Sequence, residues 1–138
     1  MLSWFKRKAP TPAAVGTPVS SGFTAPQSAV ELLNTPRRQK LLENIWQRTS
    51  LSRPQFAGLY MTPLQRYAAL VQLLPASESH HHAHPGGMLD HSLETVAFAL
   101  KLRQSHLLPI GAPPEAQAAE AEAWTLRCAA ARPRQNRC

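Results

Sequence analysis

The sequence predicts an all-α protein, and three observations support that prediction. Apolar residues recur three and four positions apart, as on one face of a helix. Capping residues followed by proline separate these segments, and no segment alternates apolar and polar residues as a strand would. A chain of 138 residues is at most one ordinary domain, and its 13 prolines indicate that part of it is extended. We expect four to six helices with short connections.

The first two helices are marked by their caps. Ser28 and Glu31 match a capping box, which predicts a short helix through Asn34. Thr35 followed by Pro36 predicts the start of a second helix, because proline is well tolerated at a first helical position. The predicted core face of this helix has Leu41, Leu42, Ile45 and Trp46, and the predicted solvent face has Arg37, Arg38, Lys40, Glu43 and Arg48.

Further helices are predicted downstream, separated by breaks that contain proline or glycine. Thr62-Pro63 repeats the cap-plus-proline signal and predicts a new helix start, and Pro75 is expected to end that helix. The predicted segments are a short helix after Ser50 or Ser52, a helix from Thr62 to Pro75, a loop from Ala76 to about Gly87, a helix from Met88 to about Ser105, and a helix from Glu115 to Leu126.

The two ends of the chain differ from its middle. Residues 1–27 are predicted to be a disordered linker, because Pro, Ala, Ser, Thr and Gly dominate and little apolar surface could be buried. Residues 28–126 form the predicted helical domain, and residues 127–138 are predicted to be an irregular basic tail. The formal net charge of +7 lies in the ends, since residues 31–126 hold equal numbers of basic and acidic side chains. Such ends can bind phosphates without specificity.

Cysteine usage and hydropathy predict a cytoplasmic protein. Cys128 and Cys138 have neither zinc-site spacing nor the pattern of a secreted disulfide framework. No apolar run approaches the roughly 20 residues that a membrane-spanning helix needs. The first eight residues are too poor in apolar side chains for a signal peptide.

Five of the six histidines fall within residues 80–94, which read HHHAHPGGMLDHSLE. Neutral imidazole is a common ligand of divalent metals. An irregular loop can bring one or two of the first histidines together, Gly86-Gly87 permits a tight backbone, and His91 lies on the first turns of the following helix. Glu94 shares the helix face of His91. The pattern therefore predicts a loop that carries metal ligands into a helix.

Simpler interpretations of the same residues remain open. A histidine run is often an exposed low-complexity tract with incidental metal affinity. Asp90 is suited to the dipole of the helix N-terminus, although it could also be a metal ligand or orient one. His106 is expected at a helix C-terminus rather than in a site, and the helical spacing of Tyr60 and Tyr67 favours core positions over a nucleophilic role.

The stretch His80–Glu94 resembles the three-histidine region of conjugative relaxases of the MobH, or TraI-type, class, which are carried on integrating conjugative elements. Three further segments are similar to that family, and the resemblance covers about residues 28–125. These segments are TPRRQKLL at 35–42, LLPASES at 73–79 and LKLRQSHLLP at 100–109.

The resemblance implies an HD-domain-like helical bundle within a longer relaxase, which nicks one DNA strand at a transfer origin and works with the conjugative transfer apparatus. It implies a divalent metal, whether Mn, Fe, Mg or Zn. His91 matches the first histidine of an HD site, and the three-histidine motif falls on His80, His81 and His82. Asp90 and Glu94 would orient these ligands by hydrogen bonds.

The sequence departs from the HD pattern at one point. The later His-Asp pair is missing, since no histidine follows His106 and no aspartate follows Asp90. Together with the text LRCAAARPRQNRC after Thr125, this predicts a truncated or frame-shifted product with an incomplete bundle that is inactive alone. Two alternatives remain open, an HD-type phosphohydrolase or nuclease and a non-enzymatic helical module of the transfer apparatus. Whether this chain is itself an enzyme stays undecided at this point.

Overall fold

A computed structural model of the chain describes residues 24–130, and every regular element in that range is helical. The predicted all-α class is therefore confirmed. Predictions about residues 1–23 and 131–138 concern parts of the chain outside the described residues. The elements are α1 (Ala29–Leu33), α2 (Pro36–Trp46), α3 (Arg53–Phe56), a π-helical turn (Ala57–Met61), α4 (Thr62–Val71), α5 (Gly87–Gln104) and α6 (Pro114–Ala130).

The predicted caps of α1 and α2 are confirmed. The Glu31 N–H donates to Ser28 Oγ at 3.2 Å, and the Ser28 N–H donates back to the Glu31 carboxylate at 2.9 Å. The hydrogen bond from the Ser28 backbone, followed by that from its hydroxyl, lowers the pKa of Glu31. At α2, Thr35 Oγ1 accepts from the Arg38 N–H, and Pro36 occupies the first turn. Local chemistry alone therefore determines where these two helices begin.

The predicted helix from Thr62 is present as α4, but the predicted cap at Thr62 is wrong, because Thr62 itself has helical backbone angles. The chain is helical without a break from Arg53 to Val71, and Pro63 lies inside this segment. Proline cannot donate to the carbonyl four residues back, and the turn before it widens into a π-helix in which the Thr62 N–H bonds to the Ala57 carbonyl. The Thr62 hydroxyl donates to the same carbonyl at 3.1 Å. The segment also ends before Pro75, because Gln72 has a φ of 47°.

Helix α5 forms the centre of the bundle, packed against α2, α4 and α6. The helical spacing of its apolar residues predicts a core face of Leu89, Leu93, Val96, Ala97 and Leu100. Full burial of Leu89, Leu93 and Leu100 confirms this face. Helix α6 continues four residues beyond its predicted end at Leu126, through Ala130. The other buried apolar residues are Leu32, Leu33, Leu42, Ile45, Phe56, Tyr60, Met61, Ala68 and Val71.

Arg38 was predicted on the solvent face of α2, and this prediction is wrong. Its side chain is buried, with the residue 7% exposed, and Nε lies 2.6 Å from Asp90 Oδ1 on α5. The same guanidinium donates to the carbonyl oxygens of Leu32 and Gly86. Helical periodicity places Arg38 at the contact between α2 and α5, and the carboxylate across that contact allows a cation to be buried there.

Tyr60, on the π-helical turn, is also buried, and no hydrogen-bond partner of its hydroxyl is found within residues 24–130. Burial, followed by the negative charges of Glu122 and Cys128, raises the pKa of Tyr60 to about 12. The fold therefore favours the neutral phenol over the phenolate.

Substitution of Arg38 by methionine is expected to cost about 3–5 kcal/mol of unfolding free energy, because it leaves the Asp90 carboxylate buried without a partner. The matched change Arg37→Met removes only an exposed ion pair and should cost less than about 1 kcal/mol. Urea denaturation followed by circular dichroism measures both. Equal losses in the two variants would contradict a special role for the buried pair.

Tyr60→Phe is expected to change the pH dependence of stability. The phenol ionises in the unfolded chain near pH 10 but only near 12 in the fold, so its contribution is complete below about pH 10 and is lost as the pH rises towards 12. Urea unfolding from pH 9 to 11.5 should show a stability loss in the wild type that is smaller in the phenylalanine variant. Parallel curves would refute the raised pKa.

Candidate functional site

The histidine-rich loop between α4 and α5 is a folded part of the bundle. The Ala76 N–H donates to the His82 carbonyl at 3.0 Å, which closes the loop on itself. The N–H groups of Gly86 and Met88 donate at 2.9 Å to the carbonyls of Leu73 and Leu74, which follow α4. The first of these hydrogen bonds closes the loop, and the other two attach the start of α5 to the segment that follows α4.

Gly86 and Gly87 stand where the backbone makes close approaches. Gly86 has a φ of +80°, and a Cβ there would lie 2.6 Å from a terminal nitrogen of Arg38. A Cβ on Gly87 would lie 1.9 Å from the backbone oxygen of His82. His82 itself has a φ of 62°, an uncommon value for a residue other than glycine. The two glycines thus let the histidine loop press directly against α2 and the start of α5.

His82 is the centre of a cluster of imidazoles and carboxylates. Its ring centroid lies 5.4 Å from that of His91 and 6.0 Å from that of His84. Its Nε2 lies 3.0 Å from Glu94 Oε2. On the other side of the cluster, His84 Nε2 lies 3.8 Å from Asp90 Oδ2. We call these five residues the histidine cluster.

His80 and His81 lie apart from the histidine cluster. Both are exposed, and their backbone groups are engaged by Ser77, whose Oγ accepts from the His80 N–H at 3.1 Å and donates to the His81 carbonyl at 3.0 Å. Of the four predicted metal ligands, the structure thus brings together His82 and His91 and leaves the other two at the loop surface. His84 was not among the predicted ligands, although it lies in the same run of histidines.

Neighbouring helices supply the second layer of the site. Arg37 donates to Glu94 Oε1, so that this carboxylate bridges an arginine of α2 and the imidazole of His82. Tyr67 on α4 forms a 2.8 Å hydrogen bond with Ser92, on the helical turn of His91. The cluster is therefore held by α2, α4 and α5 together, and Arg37 is a site residue that sequence periodicity assigned only to solvent.

The donor set suits a divalent metal, but the arrangement does not form a complete site. Two imidazoles and a carboxylate are ordinary ligands of such ions. Two imidazoles on one tetrahedral ion have ring centres roughly 5 Å apart, given nitrogen–metal distances of about 2 Å, close to the 5.4 Å between His82 and His91. Within residues 24–130, however, no three His, Cys, Asp or Glu side chains are placed to hold a metal ion together.

Comparison with known proteins identifies the class of this all-α chain. The family model TraI_2, described as "Putative helicase", matches residues 22–132. The chain therefore belongs to this TraI-type family, which is related to conjugative relaxases. The predicted relationship to TraI-type proteins is confirmed at that level. No curated protein and no solved structure gives a significant match.

Helix length and hydropathy bear on the predicted absence of a membrane span. In the part of the chain that the structure describes, no helix combines the length and the apolar character needed to cross a bilayer. The cytoplasmic location remains a prediction.

Gly87→Ala is expected to disrupt the loop, because the added methyl group would collide with backbone rather than with a flexible side chain. We expect a loss of about 1–3 kcal/mol in unfolding free energy and a shift of the His82 and His91 imidazole resonances. Gly58→Ala is the control, since a Cβ at Gly58 meets nothing within 4 Å. It should be neutral or stabilise by up to about 1 kcal/mol. Urea denaturation and NMR measure both, and an unperturbed Gly87→Ala protein would contradict the described loop.

Proposed function

We propose that this chain provides the histidine half of a metal-dependent relaxase site of the MobH class, which acts on one DNA strand at a transfer origin. A single observation carries the proposal. In a chain of the TraI-type family, the rings of His82 and His91 lie 5.4 Å apart, beside Glu94 and at the start of a buried helix. We also propose that the chain is encoded on an integrating conjugative element and that it works with the conjugative transfer apparatus.

His91, His82 and Glu94 are the residues that would hold the metal. His91 and Glu94 both lie on α5, whose apolar face is anchored in the core, so His82 on the loop is the most adaptable of the three. His82 Nε2 contacts the Glu94 carboxylate. To hold a metal, these two groups would either separate or both become ligands. When bound, a divalent metal would polarise a phosphate and lower the pKa of a coordinated water. Asp90 is engaged by Arg38 and would orient His84 rather than ligate.

We further propose that the chain is catalytically inactive alone. In the HD pattern, a His-Asp pair on a later helix completes the ligand set, and that pair does not occur after His106 in this sequence. Two imidazoles and one carboxylate leave most of the coordination sphere to solvent, so both affinity and control of a nucleophile would be reduced.

Manganese binding tests the proposed ligands. We expect His91→Ala and His82→Ala each to weaken Mn²⁺ binding at least about tenfold, as the loss of a ligand should. His80→Ala and His81→Ala serve as matched controls and should change affinity less than about twofold, because their rings lie outside the histidine cluster. Titration followed by electron paramagnetic resonance measures free Mn²⁺, and circular dichroism verifies folding.

Two results would contradict this proposal. If the control variants weaken binding as much as the cluster variants do, the metal is held by an exposed histidine tract. If the metal-loaded chain nicks a supercoiled plasmid that contains a transfer origin, and His91→Ala abolishes the nicking, the proposed inactivity is wrong.

A further inference from the structure

We propose that one face of α2 is the track of a single DNA strand that runs to the histidine cluster. We call this face the basic track and define it by Arg37 and Lys40, which are exposed, and Asn44 and Arg48, which are half-buried. The choice of DNA as the ligand rests on the proposed function, because the track is where the DNA of that reaction would lie. The evidence for the surface itself is independent of any metal.

The spacing of the four residues places them along one side of α2. Successive separations of three, four and four residues keep side chains on one helical face. Arg48 follows the helix, and its guanidinium donates at 2.8 Å to the Asn44 carbonyl, so it returns to the last turn. With a rise of 1.5 Å per residue, the track is roughly 16 Å long. That length corresponds to two or three phosphates of an extended strand.

The charges of the basic track are only partly compensated. Lys40 and Arg48 have no carboxylate within salt-bridge distance among residues 24–130. Arg37, at the other end, pairs with Glu94 of the histidine cluster and keeps a side chain that is 60% exposed. A phosphate could thus be shared between the end of the track and the histidine cluster. Neutralising phosphates with Arg and Lys is the main source of affinity for nucleic acid.

A groove beside the track has the size and chemistry for a nucleobase. Its volume is about 630 Å³, within the range of clefts that take small molecules. Gln39 in its wall is buried, donates at 3.0 Å to the Leu33 carbonyl, and has no partner for Oε1 within the described residues. The groove is lined by Asn34, Pro36, Gln39, Lys40, Glu43, Asn44 and Arg53.

Arg53 gives the groove a flat cationic wall. Its guanidinium carbon lies 3.4 Å from the centroid of the Trp46 ring, so its plane is supported on one side by an aromatic ring. It also pairs with Glu43 at 3.1 Å, which compensates the acidic side chain found in the groove lining among residues 24–130. Bases stack on guanidinium planes as they do on aromatic rings. A single strand can present an unstacked base in this way, whereas a duplex must first be opened.

Fluorescence anisotropy with a labelled single-stranded oligodeoxynucleotide of about ten nucleotides tests the track. The test variant is the full chain with Lys40→Glu and Arg48→Glu. The control is Arg66→Glu with Lys101→Glu, an identical charge change at exposed positions of α4 and α5. Both proteins keep the basic residues at the two ends of the chain, so their background binding is matched.

We expect the test variant to bind about tenfold more weakly than the wild type and the control less than threefold more weakly. The slope of log affinity against log salt should become shallower by about 1.4 in the test variant, because two phosphate contacts at 0.7 each are lost. If charge reversal impairs folding, the variant with Lys40→Gln and Arg48→Gln replaces the test variant. It should still bind the oligonucleotide more weakly than the control, with a smaller loss of affinity than the glutamate variant.

Equal losses in the test and control variants would overturn the track, as would tighter binding of a duplex or of RNA with the same sequence. The Mn²⁺ affinity of the test variant separates this inference from the proposed function. Wild-type Mn²⁺ affinity with weakened DNA binding is the expected result. A chain that binds the oligonucleotide through Lys40 and Arg48 but binds no Mn²⁺ would retain the track and refute the proposed metal site.

Discussion

The buried ion pair between Arg38 and Asp90 is the interaction on which the rest of the structure depends. One guanidinium bonds to the end of α1 through Leu32, to the histidine loop through Gly86, and to α5 through Asp90. Removing two charges from water is costly, and such a pair contributes little net stability unless its remaining hydrogen bonds are satisfied. Here they are directed at backbone carbonyls, so the pair fixes the relative position of three elements.

Positioning by Arg38 explains how an irregular, histidine-rich loop forms a defined cluster. Because Gly86 is held against α2, the loop must return towards α5, and this places His82 beside His91 and Glu94. Arg37, which precedes Arg38 in the chain, projects on the outer side of the same helical turn and forms an ion pair with Glu94. Two consecutive arginines therefore have opposite roles, one inside the fold and one at the rim of the site.

The sequence predicts the helices well and the site only in part. Caps and apolar spacing are local signals. They therefore suffice to predict the starts of α1 and α2 and the core face of α5 from the sequence. Helical spacing places Arg38 on the face of Leu42 and Ile45, but its carboxylate partner Asp90 is 52 residues away in the chain, so burial of this charge depends on tertiary packing. The π-helical turn that accommodates Pro63 has no comparable signal in the sequence. Likewise, composition cannot tell which of three adjacent histidines turns inward. The positive φ of His82 and the loop's hydrogen bonds to the two leucines after α4 decide that.

The most direct test of this account is amide hydrogen exchange of the unmodified protein, measured residue by residue. If the histidine loop is a folded part of the bundle, the amides of Ala76, Gly86 and Met88 should exchange slowly, as those in α5 do, because each donates to a backbone carbonyl. Exchange of these three amides at the rate of an unstructured peptide would show that the histidines belong to a flexible tract, and would contradict the positioned cluster.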